Sequence, residues 1–403
     1  YVIGCSDLAN NSVNSSATNF TIDTVAPAVT LNSPAAHTAF STATVNFNIT
    51  ATDNLALAMN CSIFIDGAIN LSNTSIINNT ASNMSLTNIG QGNHTWYSVC
   101  LDTANNSITS SARNFTIDTT VPTVTLSTPV AHNISNITTV NFVFTPVDNT
   151  IGAMNCSLFV DGTIRASNTS TINNTVTNLS LTSLGQGNHT WFTACSDLAN
   201  NSANASAQNF SVDNVAPTIT LNTPVNHTAF SSSTVNFNIT ATDNLPLAMN
   251  CSIYIDGVLN LSNTSTLNNS ATNLSLTGIG QGNHTWYSVC LDTANVSSTT
   301  GSRNFTVDTS APSITVNGPA NLSTFSDTNV TINITALDNL PSAMSCSILL
   351  DGLSQGTNNS VTNNSAVNFS FTGLTEDTHY WNVSCADNVN NSVNTSTYRF
   401  TIS

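Results

Sequence analysis

Apolar and polar residues alternate with a period of two along several stretches of this chain, and the stretches recur every 95 residues. In residues 24–118 they are VTL (29–31), TVNFNITAT (44–52), MNCSIFIDG (59–67), SNMSLTNI (82–89), HTWYSVCLD (94–102) and SARNFTID (111–118). Period two places successive side chains on opposite faces of an extended backbone, so each stretch predicts a half-buried β-strand. Asp-Gly at 66–67 and DTANN at 102–106 mark turns, and a polar stretch rich in Asn follows Gly67. No stretch has a helical period. About seven short strands separated by turn signals predict an all-β fold, a sandwich of immunoglobulin type.

The cysteines fix the register of the repetition. Cys5, Cys100, Cys195 and Cys290 are each 95 residues from the next, Cys385 closes that series, and Cys61, Cys156, Cys251 and Cys346 keep the same interval. The expected organisation is a leading fragment (1–23), equivalent to the last two strands of a preceding repeat, and then repeats at 24–118, 119–213, 214–308 and 309–403. A longer period of 190 is also visible, because CSDLANNS stands at both Cys5 and Cys195, and WYSVCLDTAN at both Trp96 and Trp286. The fourth repeat diverges most. Ser403 stands where Asp118, Asp213 and Asp308 stand in the others, and EDTHYW replaces the NHT motif, as in the capping copy of an array.

In an immunoglobulin sandwich the third and sixth strands are antiparallel neighbours, and here they carry cysteines 39 residues apart. The expected disulfides are Cys61–Cys100, Cys156–Cys195, Cys251–Cys290 and Cys346–Cys385. Cys5 has no mate in the chain, and upstream sequence is its expected partner. A cross-link closing a loop of about 40 residues stabilises a small domain by roughly 4 kcal/mol in the chain-entropy model. It also implies an oxidising setting, so the protein is expected to be extracellular or at a cell surface. Pairing Cys61 with Cys100 puts Ile63, Ile65 and Trp96 on the inner face and sets Phe64 opposite Tyr97 on the outer face. The same register pairs Phe159 with Phe192 and Tyr254 with Tyr287, whereas the last repeat has Leu349 opposite Asn382. These aromatic couples are candidates for lateral contact or for stacking on sugars, beside the plainer role of cross-strand stabilisation.

Charge changes the picture. The chain has four arginines, no lysine and 20 acidic residues, giving a net charge of −16 and a pI near 4.2. Nucleic acids and anionic membranes are excluded as partners by that field. Nor is there an apolar run of about 18 residues, so this segment is not expected to insert into a membrane. Lysine–asparagine isopeptide cross-links are chemically impossible. With charged residues at only 6% and a mean hydropathy of +0.05, solubility falls to Asn, Ser, Thr and attached sugars. N-x-S/T sequons are about twice as frequent as composition alone predicts. Those recurring in register make Asn19, Asn83, Asn93, Asn114, Asn178, Asn188, Asn209, Asn273, Asn283, Asn304 and Asn368 candidate sites for N-linked glycans.

The carboxylates are grouped as well. Immunoglobulin topology brings the linker together with the second-to-third and sixth-to-seventh strand loops, so Asp23, Asp53 and Asp102 are expected to meet. The corresponding trios are Asp118/Asp148/Asp197, Asp213/Asp243/Asp292 and Asp308/Asp338/Asp387. Converging carboxylates without a lysine repel one another unless a cation intervenes, and Ca²⁺, which takes oxygen ligands, is the candidate. The alternative is that Asp53 and Asp102 only form Asx turns. Catalysis finds no support. The histidines fall mainly at two repeat positions and read as strand-end or packing residues, and no nucleophile elbow, zinc signature or phosphate loop is present.

The string H-x-W-x-x-x-C-x-D-x-A-N-N, followed by N-F-T-[IV]-D-x-x-x-P-x-[IV]-T-[LV], resembles the Ig-like repeats of prokaryotic, particularly archaeal, surface proteins. The D-x-A-N and VD-x-x-x-P pieces are similar to bacterial Ig-like adhesin domains. That resemblance implies a surface location and, in some relatives, Ca²⁺ at domain junctions. It departs in the A-G-N turn, where Asn106 and Asn201 are read as standing in place of glycine. The expected function is that of an extracellular structural protein, a glycosylated filament, thread or stalk whose partners are further copies of itself and the cell envelope. A spacer region of an adhesin, or a carbohydrate-binding array, are the alternatives.

Overall fold

The computed structural model describes residues 1–150 and 152–403, and among them there are strands and turns but no helix. The chain divides into two compact units, Tyr1–Asn133 with Thr138–Ser211, and Ile134–Ile137 with Val212–Ser403.

The first repeat shows how one sandwich is built. After the leading strands β1 (Gly4–Ser6) and β2 (Ser12–Asn14) come β3 (Ala28–Ser33), β4 (Thr38–Phe40), β5 (Val45–Thr52), β6 (Met59–Ile65) and β7 (Ala68–Ile76). They are followed by β8 (Thr80–Leu86), β9 (Gly92–Leu101), β10 (Ser107–Thr109) and β11 (Arg113–Ile117). One sheet has the order β3-β5-β8; the other has the order β4-β11-β9-β6-β7, with β10 also pairing with β9. The same orders recur at the equivalent positions of the third and fourth repeats.

Alternation decides which side chains enter the core. In β5, Val45, Phe47, Ile49 and Ala51 are fully buried, while the intervening residues are more exposed. They face Cys61, Ile63, Ile65, Trp96 and Cys100 of the other sheet, all buried in the same cluster. Phe47 lies between Trp96 (ring centroids 5.0 Å apart) and Phe115 (5.8 Å). β6 and β9 pair with Cys61 opposite Cys100, and the disulfide closes there with Cα atoms 4.1 Å apart; the pairs 156–195, 251–290 and 346–385 have the same separation. Phe64 faces Tyr97 with the rings stacked 5.0 Å apart, and Phe159–Phe192 and Tyr254–Tyr287 stack at 4.6 and 5.0 Å. Leu349 lies opposite Asn382.

Three features differ from expectation. The Asn-rich segment after Gly67 is the nine-residue strand β7, whose side chains are mostly exposed because it lies at the sheet edge. Its alternation is weak because only Ile76 is buried. In the leading fragment, Gly4–Ser6 pairs with Ser12–Asn14, and residues 19–22 lie in no strand. Lastly, the left-handed residue of the D-x-A-N-N turn is Asn105 (φ 63°) or Asn200 (φ 67°), so the glycine of related sequences corresponds to the residue before Asn106 and Asn201.

Candidate metal centre

Each aspartate of the first trio lies in the linker or just after a strand. Asp23 lies in the linker before β3, Asp53 follows β5, and Asp102 follows β9, where backbone pairing stops and the loop turns on the side chain. Asp102 Oδ1 accepts the backbone N–H groups of Ala104 (2.8 Å) and Asn106 (2.9 Å), and Oδ2 accepts Asn106 Nδ2 (2.8 Å). The same Nδ2 donates to the carbonyl of Asp23 at 3.2 Å. Asp53 Oδ2 accepts the Leu55 N–H (3.1 Å), and Asn78 braces that loop by accepting the Asp53 N–H and donating to the Asp53 and Leu55 carbonyls.

These bonds are Asx turns, yet they leave a remainder. In each of the four trios, one carboxylate oxygen from each aspartate lies within 4.8 Å of the other two. Asp23 Oδ2 and Asp53 Oδ1 are buried with no hydrogen-bond partner, as are Asp213 Oδ2, Asp243 Oδ1, Asp292 Oδ2, Asp308 Oδ2 and Asp338 Oδ1. An unpaired buried carboxylate oxygen costs free energy. Three such carboxylates converging without an ammonium group form an oxygen-only donor set, which suits a hard cation such as Ca²⁺ better than a transition metal. The residues therefore fit the ion. The turns at Asp23, Asp53, Asp213, Asp243, Asp308 and Asp338 engage one carboxylate oxygen and leave the other unpaired, so the two expectations are compatible.

The trios are not equal. At Asp118/Asp148/Asp197, the Thr150 hydroxyl lies 2.7 Å from both Asp118 Oδ2 and Asp148 Oδ2, filling a place held by leucine at 55, 245 and 340. With its amide turned, Asn149 also donates to Asp118 Oδ1 and Asp148 Oδ1 at 3.3 Å. That cluster satisfies itself from within. At Asp213/Asp243/Asp292, by contrast, Val296 replaces the asparagine that donates to Oδ2 in the other repeats. Burial, with the charges of Asp213 and Asp292, pushes Asp243 above the ordinary carboxylate range, and burial with Asp213 does the same to Asp292. Asp308 is pushed up by burial and by the nearby Asp338 and Asp387. Burial also opposes ionisation of Asp102, but there the hydrogen bonds from Asn106 and Ala104 outweigh it and the group lies lower than usual.

The sequence reading missed the clamp at the opposite end of the strands. Asp66 begins the β6–β7 turn in left-handed conformation (φ 52°), and its carboxylate meets His94 Nδ1 at 2.7 Å and accepts the Thr95 N–H at 2.8 Å. His94 Nε2 lies 2.9 Å from the Gly90 carbonyl. Asp161–His189, Asp256–His284 and Asp351–His379 repeat the couple at 2.7 Å. The constant 28-residue offset between Asp-Gly and His was the available signal. Both imidazole nitrogens are engaged, so the shallow cleft of about 340 Å³ that His94 lines with His37, Asn93, Asn114 and Phe115 has no free base from that residue.

The remaining candidates are on the surface. Cys5 is exposed and free. Asn19, Asn83, Asn93, Asn114, Asn178, Asn188, Asn209, Asn273, Asn283, Asn304 and Asn368 are all exposed. Thr116, Ser211 and Thr306 hydroxyls hold Oδ1 of Asn93, Asn188 and Asn283 at 2.6, 2.6 and 2.7 Å, so those amide nitrogens face outward. No helix is long and apolar enough to cross a membrane among the described residues.

Residues 78–157 and 173–259 match the family of bacterial Ig-like domains (group 3). The two matched segments begin at Asn78 and Asn173, the loop-bracing asparagines one repeat apart. No curated protein matches the chain. Among solved structures, it is similar to fibronectin(III)-like modules of Clostridium thermocellum CbhA, at 18% identity over 46% of this chain and 93% of that one, with a TM-score of 0.30. A three-domain immunoglobulin fragment of titin gives 13% identity over 71% and 99%, with a TM-score of 0.44. The ICAM-5 ectodomain fragment gives 10% over 94% and 100%, with a TM-score of 0.40. Sheet order, register and family match together identify the chain as a tandem array of immunoglobulin-like repeats, each with one disulfide across its third and sixth long strands.

Proposed function

We propose that the chain is an extracellular structural protein, a glycosylated filament, thread or stalk whose repeats are tied at their junctions by Ca²⁺. The observation that carries this reading is serial equality. Four repeats have the same disulfide, the same aspartate trio and the same Asp–His clamp, so the specialised chemistry is copied rather than concentrated. Copying suits a load-bearing or spacing role. The trio supports a Ca²⁺ role in that role's mechanics, because it joins a linker residue to two loops of the following sandwich. A bound cation would neutralise repulsion there and restrict the linker. The partners under this reading are further copies of the chain and the cell envelope. A carbohydrate-binding platform is less favoured, because each ring of the aromatic couples already has one face covered by its partner (interplanar angles 5–6°). Negative-stain microscopy of the native protein, with Ca²⁺ and in EDTA, tests the proposal. Ordered filaments or straight rods in Ca²⁺ that become flexible in EDTA are expected; particles of unchanged appearance in both would overturn the junction role.

A further inference from the structure

The open edge of the larger sheet calls for an explanation of how it stays unpaired. Strand β7 pairs only with β6, and Thr163–Ile172, Val258–Thr266 and Leu353–Val361 occupy the same edge in the later repeats. A long edge offers a row of N–H and C=O groups to another chain, and proteins usually blunt it with lysine, proline, a bulge or a covering element. These strands contain no proline, and Arg165 is their one charged residue. They also expose Ile69 (59%), Ile164 (59%), Leu259 (52%) and Leu353 (67%).

The pairing of each edge strand is interrupted at two places, one beside the disulfide and one between Ile63 and Phe64 or their equivalents. Pairing shifts between Met59 and Cys61, where Met59 faces Ile76 and Cys61 faces Asn73, and the same shift recurs in the other three repeats. The residue paired with the cysteine, immediately before the bulge, begins an N-x-S sequon in all four repeats, at Asn73, Asn168, Asn263 and Asn358. In every case Oδ1 accepts the backbone N–H of the serine two residues on, at 3.0, 2.9, 2.9 and 3.0 Å. Asn73, Asn168 and Asn263 are half-buried and Asn358 is exposed, and in all four Nδ2 makes no hydrogen bond to the described residues. The sequons at Asn48, Asn238 and Asn333 are the opposite case. Their Nδ2 groups donate to Asn83, Asn273 and Asn368 in side-chain ladders across the smaller sheet.

We propose that Asn73, Asn168, Asn263 and Asn358 carry N-linked glycans that cover the open sheet edge. In the transfer, a bond forms between Nδ2 and the anomeric carbon of a lipid-phosphate-linked sugar. The bond from that carbon to the phosphate oxygen breaks, the lipid phosphate leaves with its electron pair, and Nδ2 gives up one proton. A hydrophilic polymer anchored on the edge strand beside the bulge then fills the space a second strand would need, which is the work lysine does on other edges. The inference rests on the reading of the array as a glycoprotein.

Glycopeptide mass spectrometry of the protein from its natural source, after digestion with a protease of broad specificity, tests it. The expected result is sugar on Asn73, Asn168, Asn263 and Asn358 and none on Asn48, Asn238 or Asn333. Bare asparagine at the four edge positions with sugar elsewhere, for example at Asn83, overturns this inference alone. A protein without any glycan overturns it together with the glycoprotein reading. The covering role is tested by the combined variant Ser75→Ala, Ser170→Ala, Ser265→Ala and Ser360→Ala, which destroys the sequons but keeps the turns, since the donors are backbone N–H groups. Loss of four glycan masses with a several-fold rise in sedimenting assemblies is expected. Loss of the sugars with unchanged sedimentation overturns the covering role.

Discussion

Asn106 reaches back 83 residues to donate its side-chain amide to the Asp23 carbonyl at 3.2 Å, while the same nitrogen holds Asp102 Oδ2 at 2.8 Å. Asn201 and Asn391 repeat the contact to Asp118 and Asp308 at 2.7 and 2.8 Å. One amide thus ties linker and loop together and satisfies a carboxylate of the trio. Val296 lacks it. In EDTA, Asn201→Val should destabilise the second repeat by about 2 kcal/mol, because it orphans a buried carboxylate oxygen, and Val296→Asn should stabilise the third by about 1 kcal/mol. Chemical denaturation followed by segment-resolved hydrogen exchange reads both; shifts of the same sign would refute the pairing argument.

Removal of the cation is the second test. If Ca²⁺ binds the folded trios, saturation at about 100 times the dissociation constant stabilises each site by roughly 2.7 kcal/mol. Melting in Ca²⁺ should therefore be several degrees above melting in EDTA, and an unchanged transition would rule the ion out. Thr150 separates the sites. Thr150→Leu removes the hydroxyl that quiets Asp118 and Asp148, so it should lower stability in EDTA and enlarge the Ca²⁺ response of the second repeat.

The Asp–His clamps give a pH dependence with two signs. Burial alone would lower the His379 pKa, but Asp351 and the Thr375 carbonyl outweigh it and hold the group above its ordinary 6.5. A histidine raised on folding contributes stability that is complete below the unfolded value and is lost as pH rises through the folded one. Protection of strand Thr378–Ala386 against hydrogen exchange, corrected for the intrinsic rate, should fall above pH 6.5, and Asp351→Asn should abolish the slope. Asp66, Asp161 and Asp256 behave oppositely. Burial works to raise them, but hydrogen bonds from the partner histidine and the adjacent backbone N–H leave them below 3.8, so their contribution is present above that value and disappears as pH falls through the depressed one.

The stacked couple Phe64–Tyr97 should stabilise its repeat by about 0.5–1.5 kcal/mol beyond burial. A double-mutant cycle with Phe64→Ala and Tyr97→Ala measures that coupling, and a coupling near zero would leave the pair as incidental neighbours. The fourth repeat, with Leu349 and Asn382 in these places, is the natural reference.

Alternation made β5, β6 and β9 readable because their inner faces meet a packed core, as Val45, Phe47 and Ile49 do. The same logic failed for β7, where nearly every side chain is at least partly exposed and the bulge at Thr74–Ser75 breaks the period of two. The trios were visible because each aspartate follows a strand whose end the fold class places. The Asp66–His94 clamp was missed although the register that sets Phe64 opposite Tyr97 also brings Asp66 beside His94, because the histidines were read only as strand-end or packing residues. The parallel pairing of Thr38–Phe40 with β11 has no local signal at all, being three residues long and set by the path of the chain around the sandwich.

The position of the disulfide has a consequence under tension. Cys61 and Cys100 join neighbouring strands 39 residues apart, so a chain pulled from its ends passes force across the sulfur bridge and leaves the enclosed loop slack. Of each 95-residue repeat, 95 less 39 leaves 56 residues able to extend. At 3.3–3.6 Å per residue that is about 190 Å of reach, against roughly 330 Å without the bridge. A torn repeat therefore pays out little more than half its contour and keeps its central hairpin of strands tethered for refolding.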